Sequence, residues 1–475
     1  MVSTQAGAAS HSHVDSSAGG QEHDYSLTAP MWSGTAAAAA SSDESFLVAL
    51  LEAEVALAAA MAEQGAIPAA HVDTIRRAAD PSNFDIRSIA LRARGGGNPV
   101  IPLLADLRAE VRRLDPDAVS SVHKSATSQD IVDTALMLIA AHTVSIIGAD
   151  LHATADGLAA LADDHRQTVM AARTLTQQSV PTTFGLKAAG WLQGSTTAAR
   201  RLEDAASRLP AQLGGASGTL AATVELLDPQ AADAVVEQYA AELGLQAPAL
   251  PWHTRRAPVT ELGDALAAVT DALGKIAVDV TLLCRTEIAE LGEPSGDGRG
   301  GSSAMPQKQN PVLSVLISAA ARKAPAMAAE LHRSALAVDE RPDGAWHTEW
   351  ATLQELLRLA GGCAALAAEL TDGLQVHDTK MKANLQLTGG LVLSERLMLK
   401  LAPVLGKEAV QHLVTRAGTG DDLRALLADA LDGVEGYDVD ELLDPAAYLG
   451  CADTFIDRAL AAYQEQFTDR SHHGQ

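Results

Sequence analysis

Residues 259–291 contain no proline, and residues 312–340 contain only Pro325. Proline breaks a helix interior because it lacks the N–H and clashes with the preceding turn. Stretches this long and alanine-rich therefore predict long helices, alanine being the strongest helix former with almost no side-chain entropy to lose. Further helices are expected over residues 43–64 with Asp43 as cap, from near Ser128 past Ile146, and over residues 183–208. Thr127 and Asp130 have the spacing of a capping box. About five long helices with short connections predict a bundle. Aromatic residues are only 3% of the chain, which argues against a sandwich or barrel. The expected class is all-α.

The pattern changes along the chain. Residues 1–26 are rich in Ser, Gly, His and Ala, and are expected to be a disordered tail in which His11, His13 and His23 are solvated. Gly95–Gly97 and Pro99 break regularity. Shorter helices and Gly/Asp turns begin near residue 376. The expected division is an N-terminal helical domain over 27–125, a central bundle over 126–375 and a C-terminal helical domain over 376–475. A formal net charge of -25 argues against nucleic acid or an anionic membrane as partner. No apolar run is expected to span a membrane, no signal peptide is seen, and a cytoplasmic protein is expected. Cys284, Cys363 and Cys451 are widely spaced and read as buried thiols of a reducing compartment.

One stretch is too polar and flexible for such a bundle: "GRGGSSAMPQKQNP" at 298–311. Asn310 suits a helix N-cap and Pro311 the first helical position. Ser302 and Lys308 would then lie on a loop ending at a helix N-terminus, where free N–H groups and the dipole favour an anion. A serine beside a lysine in that field can act as a base. A plain solvent-exposed connector is the competing reading. A phosphate-binding loop is the other, but GK[ST] after a strand is missing.

"GSSAMPQKQNP" resembles the signature loop of the fumarase/aspartase superfamily, GSSxMPxKxNP. "HKSATSQDIVDT" and "RTLTQQSVPTTFGLKAAGWL" resemble the first and second shared regions of adenylosuccinate lyases and 3-carboxy-cis,cis-muconate cycloisomerases. "FLVALLEAEVALA", "GGASGTL", "PWHTRR", "GAWHTEW" and "KANLQLTGGLVLSERL" resemble the cycloisomerase branch in particular. The likeness spans roughly residues 27–465. It implies a three-domain helical subunit in a homotetramer, with each active site formed by the shared regions of three different subunits and no metal or organic cofactor. The implied chemistry takes a proton from the carbon beside a carboxylate of a small dicarboxylate and expels a leaving group from the next carbon. Ser302 is the implied base. Lys308, Asn310 and the N–H groups around Ala304 and Met305 are the implied carboxylate site. Thr127 and Ser128 would hold another carboxylate as well as cap a helix. Thr174 and Gln177 are further donors, and Arg201 rather than Arg200 is the preferred carboxylate clamp. His123 and His253 are candidates too, whereas His347 reads as a packed helix residue.

The sequence departs from the pattern in three places. Where fumarases and adenylosuccinate lyases have a histidine, this chain has Leu175; where cycloisomerases commonly have one, it has Gln178. An aromatic-Gly pair in the first region is replaced by Lys124 and Ser125. Hydroxide and amines are strongly basic leaving groups and need a general acid; a stable anion does not. A site lacking the acid but gaining Lys124 suits lactone opening or nitrite loss. Nitrosuccinate lyases, which resemble the cycloisomerase branch, split nitrosuccinate into fumarate and nitrous acid. That elimination is the preferred expectation, ahead of a cycloisomerase of aromatic catabolism and of an inactive structural protein.

Overall fold

The computed structural model describes residues 24–294, 296, 300, 301, 305 and 307–468. Among them, six helices exceed 20 residues: Asp43–Glu63, Ser128–Asp164, Phe184–Ala206, Ala257–Leu283, Val312–Ser334 and Gly344–Asp372. The last five close a ring. Ser128–Asp164 packs on Phe184–Ala206 and Gly344–Asp372, and Ala257–Leu283 joins Phe184–Ala206 to Val312–Ser334, which returns to Gly344–Asp372. Leu158, Leu266, Leu273, Ile317, Leu331 and Leu357 fill the interior and are fully buried. The chain is all-α apart from short strands. The hairpin of β1 (Val169–Thr174) and β2 (Gln177–Thr183) is the longest sheet described.

Several helix ends differ from expectation. Ser42, not Asp43, caps the first long helix, its Oγ accepting from Ser45 N at 3.2 Å. Asp43 sits in the first turn, where its charge suits the dipole. The helix expected to reach 291 stops at Leu283, and the one expected to reach 340 stops at Ser334. At the first of these stops Ala289, with φ +49, turns the chain so that Glu290 is buried and Leu291–Gly292 pairs with Gln375–Val376. Asp24 and Ser26, read as the end of a tail, are held. Asp24 pairs with Arg358 at 2.5 Å, and Ser26 N donates to Ser33 Oγ at 2.6 Å. Residues 1–23 lie outside the described residues.

Three helices also correct the expectation about apolar length. Asp43–Glu63, Ser128–Asp164 and Val312–Ser334 are long and apolar enough to cross a membrane by length and composition. In the bundle, 61%, 67% and 39% of their most apolar windows are buried. A helix that is apolar on most sides belongs in a core or a membrane; here neighbouring helices cover most of the first two windows and a smaller share of the third. The thiols are also not uniform. Cys363 is buried and pushed up to about 12 by burial, and Cys284 up to about 11, but Cys451 is exposed. Beyond the ring, Leu397, Leu401, Val410, Leu423, Leu427 and Leu442 form a small second core. Helix Ala452–Thr468 then packs back against Phe184–Ala206.

Candidate functional site

The first motif sits on a buried polar frame. Asp130 is fully buried, and its Oδ2 accepts Thr127 N at 3.0 Å, the backbone half of the expected capping box. The same carboxylate accepts Gly214 N and Gly215 N at 3.0 Å each and His253 Nε2 at 2.7 Å. A carboxylate with four donors fixes everything it touches. "TSQD", "GGASGTL" and "PWHTRR" are thereby tied into one unit. Gly215 has φ +71, which a side chain rarely adopts, so glycine lets its N–H reach Asp130. Deeper in, Arg256 bridges Asp133 (2.7 Å) and Glu349 (2.5 Å), and Trp346 Nε1 donates to Asp133 at 2.8 Å.

This frame revises His253. Its side chain is buried and its Nε2 lies 2.7 Å from Asp130 Oδ1, within the frame. His347 is helical but exposed, and its Nε2 lies 2.8 Å from Gly97 O. His123, Lys124, Thr127 and Ser128 are half-buried around the helix start. Lys124 has no hydrogen bond or ion pair among the described residues. Ser125 has φ +64, in the left-handed region that favours the glycine this motif usually carries. His123 shares that strain at φ +59, and its Nδ1 lies 2.7 Å from Glu54 Oε1. Burial opposes charge on His123, as does Arg108, but Glu54 and Asp130 more than offset them and its pKa is raised. Sequence reasoning assigned Glu54 no role, although an acid inside the apolar "FLVALLEAEVALA" was the available signal.

The second motif forms the hairpin. Thr174 pairs with Gln177 at its tip, and the turn residues Leu175 and Thr176 both have positive φ (+48 and +72). Thr174 and Gln177 are exposed, and Leu175 is 96% exposed. Gln178 instead donates from Nε2 to Asn384 O at 2.8 Å. Arg173 makes a two-pronged pair with buried Glu290 (2.9 and 2.6 Å), which also accepts from Asn384 Nδ2 at 2.7 Å.

Ser302, the expected base, lies outside the described residues, as does Ala304. The base of its loop is described. Gly300 O accepts both Asn310 N (2.9 Å) and Asn310 Nδ2 (3.0 Å), and Gly301 bridges Gln309. Met305 and Lys308 are exposed, and Lys308 N donates to Met305 O at 2.9 Å. Asn310 therefore closes the loop and does not cap the helix. Glu293 caps it, accepting Leu313 N and Ser314 N at 2.9 and 2.8 Å. A full negative charge satisfies a helix N-terminus better than a neutral amide. Arg201 is exposed and lines an open groove with Arg208, Glu261 and Asp264, where no other candidate residue joins it. Arg200 donates to Gln466 at 3.0 Å.

The motifs stand at two ends of the bundle. Helix Ser128–Asp164 has 37 residues, so about 55 Å separates its ends. Thr127 opens it, and the hairpin follows its close. The signature loop lies at the hairpin end, because Glu290 pairs with Arg173 and Glu293 caps the helix after the loop. One chain thus groups the second and third motifs and holds the first far away.

The comparisons agree with this architecture. A family profile described as lyase matches residues 24–325. A nitrosuccinate lyase of Streptomyces davaonensis is 46% identical over 459 residues, covering 94% of this chain and 97% of that one. A 3-carboxy-cis,cis-muconate cycloisomerase of Bradyrhizobium diazoefficiens is 40% identical, covering 91% and 97%. The crystal structure of 3-carboxy-cis,cis-muconate lactonizing enzyme from Pseudomonas putida superposes with a TM-score of 0.84 at 37% identity, covering 90% and 96%. The chain is a lyase of the fumarase/aspartase superfamily and belongs to its 3-carboxy-cis,cis-muconate cycloisomerase-like branch.

Proposed function

We propose that the protein performs a cofactor-free β-elimination on a substituted succinate, and that the substrate is nitrosuccinate, split into fumarate and nitrous acid. Leu175 carries the acid-free elimination, and Lys124, Ser125 and Gln178 favour nitrosuccinate over a muconate. Where a proton-donating histidine stands in other branches, the hairpin tip offers a side chain that has no proton to give and is 96% exposed. Nitrite is a weakly basic anion and leaves without protonation by the enzyme. The 46% identical relative named nitrosuccinate lyase supports the same choice.

In this reading Ser302, as its alkoxide, takes a proton from C3 and becomes the hydroxyl. The C–H electrons become the C2=C3 bond, the C2–N bond breaks, and nitrite departs with the electron pair. The intermediate dianion needs donors fixed in advance. Lys308, Asn310 and the N–H groups near Met305 supply them at one carboxylate. Lys124, Thr127 and Ser128 at a helix N-terminus take the other, with Thr174 and Gln177 closing over the substrate from the hairpin tip. The distance between the motifs within one chain supports sites shared between subunits, which we take to be those of a cytoplasmic homotetramer on the family resemblance.

The test is an ultraviolet assay for fumarate and a colour assay for nitrite, with nitrosuccinate and with 3-carboxymuconate, on the wild type and Ser302→Ala. Equal release of both products by the wild type, none by Ser302→Ala and no turnover of the muconate is the expected result. Turnover of the muconate alone would establish the cycloisomerase reading, which the 40% identical relatives favour. Full activity in Ser302→Ala would move the base elsewhere.

A further inference from the structure

Glu54 is 1% exposed, on the apolar helix Asp43–Glu63, and stands 69 residues before His123 in the chain. Its Oε1 meets His123 Nδ1 at 2.7 Å, and its Oε2 has no hydrogen-bond partner among the described residues. A buried carboxylate with so few donors is costly unless a positive group lies against it. The contact is with an imidazole that can supply the charge. His123 itself is held in the left-handed region, four residues before Thr127, and only 11% of its side chain is exposed. Backbone strain at a non-glycine residue persists where the surroundings over-determine it, and it clusters at functional sites.

Resting on the elimination reading above, we propose that Glu54 is a positioning residue: it holds His123 as an imidazolium and leaves His123 Nε2–H as a charged donor for the substrate carboxylate bound at Thr127 and Ser128. With Nδ1 committed to Glu54, Nε2 is the one ring nitrogen left for another partner. The charged groups facing His123 come from three helices: Glu54 from Asp43–Glu63, Arg108 from Val100–Leu114 and Asp130 from Ser128–Asp164. The two carboxylates favour the cation and the guanidinium opposes it. Asp130 is already saturated by four donors, so Glu54 is the partner that commits the ring. The arrangement puts a second cation beside Lys124 at the end of the bundle away from the signature loop, where a dicarboxylate needs its other charge met. A structural ion pair would stabilise the same turn, but would leave the pH dependence of catalysis unmoved.

The test is site-resolved deuterium exchange at the His123 imidazole C2, read by mass spectrometry across pH on the full chain without substrate. The wild-type midpoint is expected above the ordinary 6.5. In Glu54→Gln it should fall by about one pH unit or more, and Glu54→Asp should retain most of the elevation. A wild-type midpoint at or below 6.5, or one unmoved by Glu54→Gln, overturns the proposal. Should Glu54→Gln fail to fold, the wild type and Glu54→Asp decide it. With the substrate that is turned over, Glu54→Gln should lose roughly ten- to a hundredfold in kcat/KM. Most of that should be in KM, and the alkaline limb of the pH profile should move down. A uniform loss with an unmoved limb also overturns the proposal. Absence of turnover in the wild type sinks the elimination reading alone and leaves the titration to judge the dyad.

Discussion

At the scale of single residues, Arg256 shows how burial decides charge. Its guanidinium and both partners are at most 1% exposed. Two carboxylates share one cation, so the second ionises against both burial and its neighbour's charge. Burial chiefly, with Asp133 adding to it, raises Glu349 above the ordinary 4.5 despite the pair with Arg256. Removing Arg256 leaves two like charges in the interior. Arg256→Met is therefore expected to destabilise by about 3–5 kcal/mol, read as a lowered urea midpoint. Glu349→Gln keeps the Arg256–Asp133 pair and should lose less. The pH effect has a definite sign. Glu349 has a raised folded pKa, so its contribution is full below 4.5 and is lost as pH rises through the raised value. The wild type minus Glu349→Gln stability difference should accordingly shrink between pH 4.5 and 7. An unchanged difference would place the proton elsewhere. The arginine was legible in "PWHTRR", but its role was not, because its partners lie 123 and 93 residues away.

At the scale of elements, helix ends decide what the signature loop can do. The expected cap was Asn310, because Asn-Pro is a favourable local start. The structure uses Glu293, 20 residues earlier than the Leu313 N–H it accepts. Local propensity could rank Asn310 but could not foresee a carboxylate returning from a distant turn. Freed from capping, Asn310 staples the loop to Gly300. Gly300 has φ +67, and a Cβ there would stand 2.7 Å from Asn310 O. Gly300→Ala is thus expected to open the loop base at about 1–2 kcal/mol. It should lower kcat/KM by roughly tenfold with helix content by circular dichroism unchanged. Wild-type turnover in that variant would mean the staple does not position the loop. The hairpin was likewise hidden. "RTLTQQSVPTT" lacks the Asn-Gly turn of a two-residue hairpin, and Leu175 and Thr176 adopt positive φ without it.

At the scale of the molecule, about 55 Å of helix stands between the first motif and the other two. A variant damaged at one end should therefore complement a variant damaged at the other. Mixing Thr127→Ala with Lys308→Ala, each inactive alone, and allowing subunits to re-associate should restore turnover. Mixing two variants of the same motif should not. Recovery in neither mixture would return the site to a single chain. What the sequence by itself determined was the class of fold and the lyase superfamily: proline-free, alanine-rich runs permit little except long packed helices, and an eleven-residue loop signature is too specific to arise from helix packing. Both are local properties of the chain. The tertiary structure alone decided which polar groups are spent on the frame, as with His253, Asp130 and Arg256, and which have no partner among the described residues, as with Lys124. It also decided that Glu54 meets His123. Those outcomes depend on which groups burial brings within hydrogen-bond reach, and burial is a property of the packed helices together.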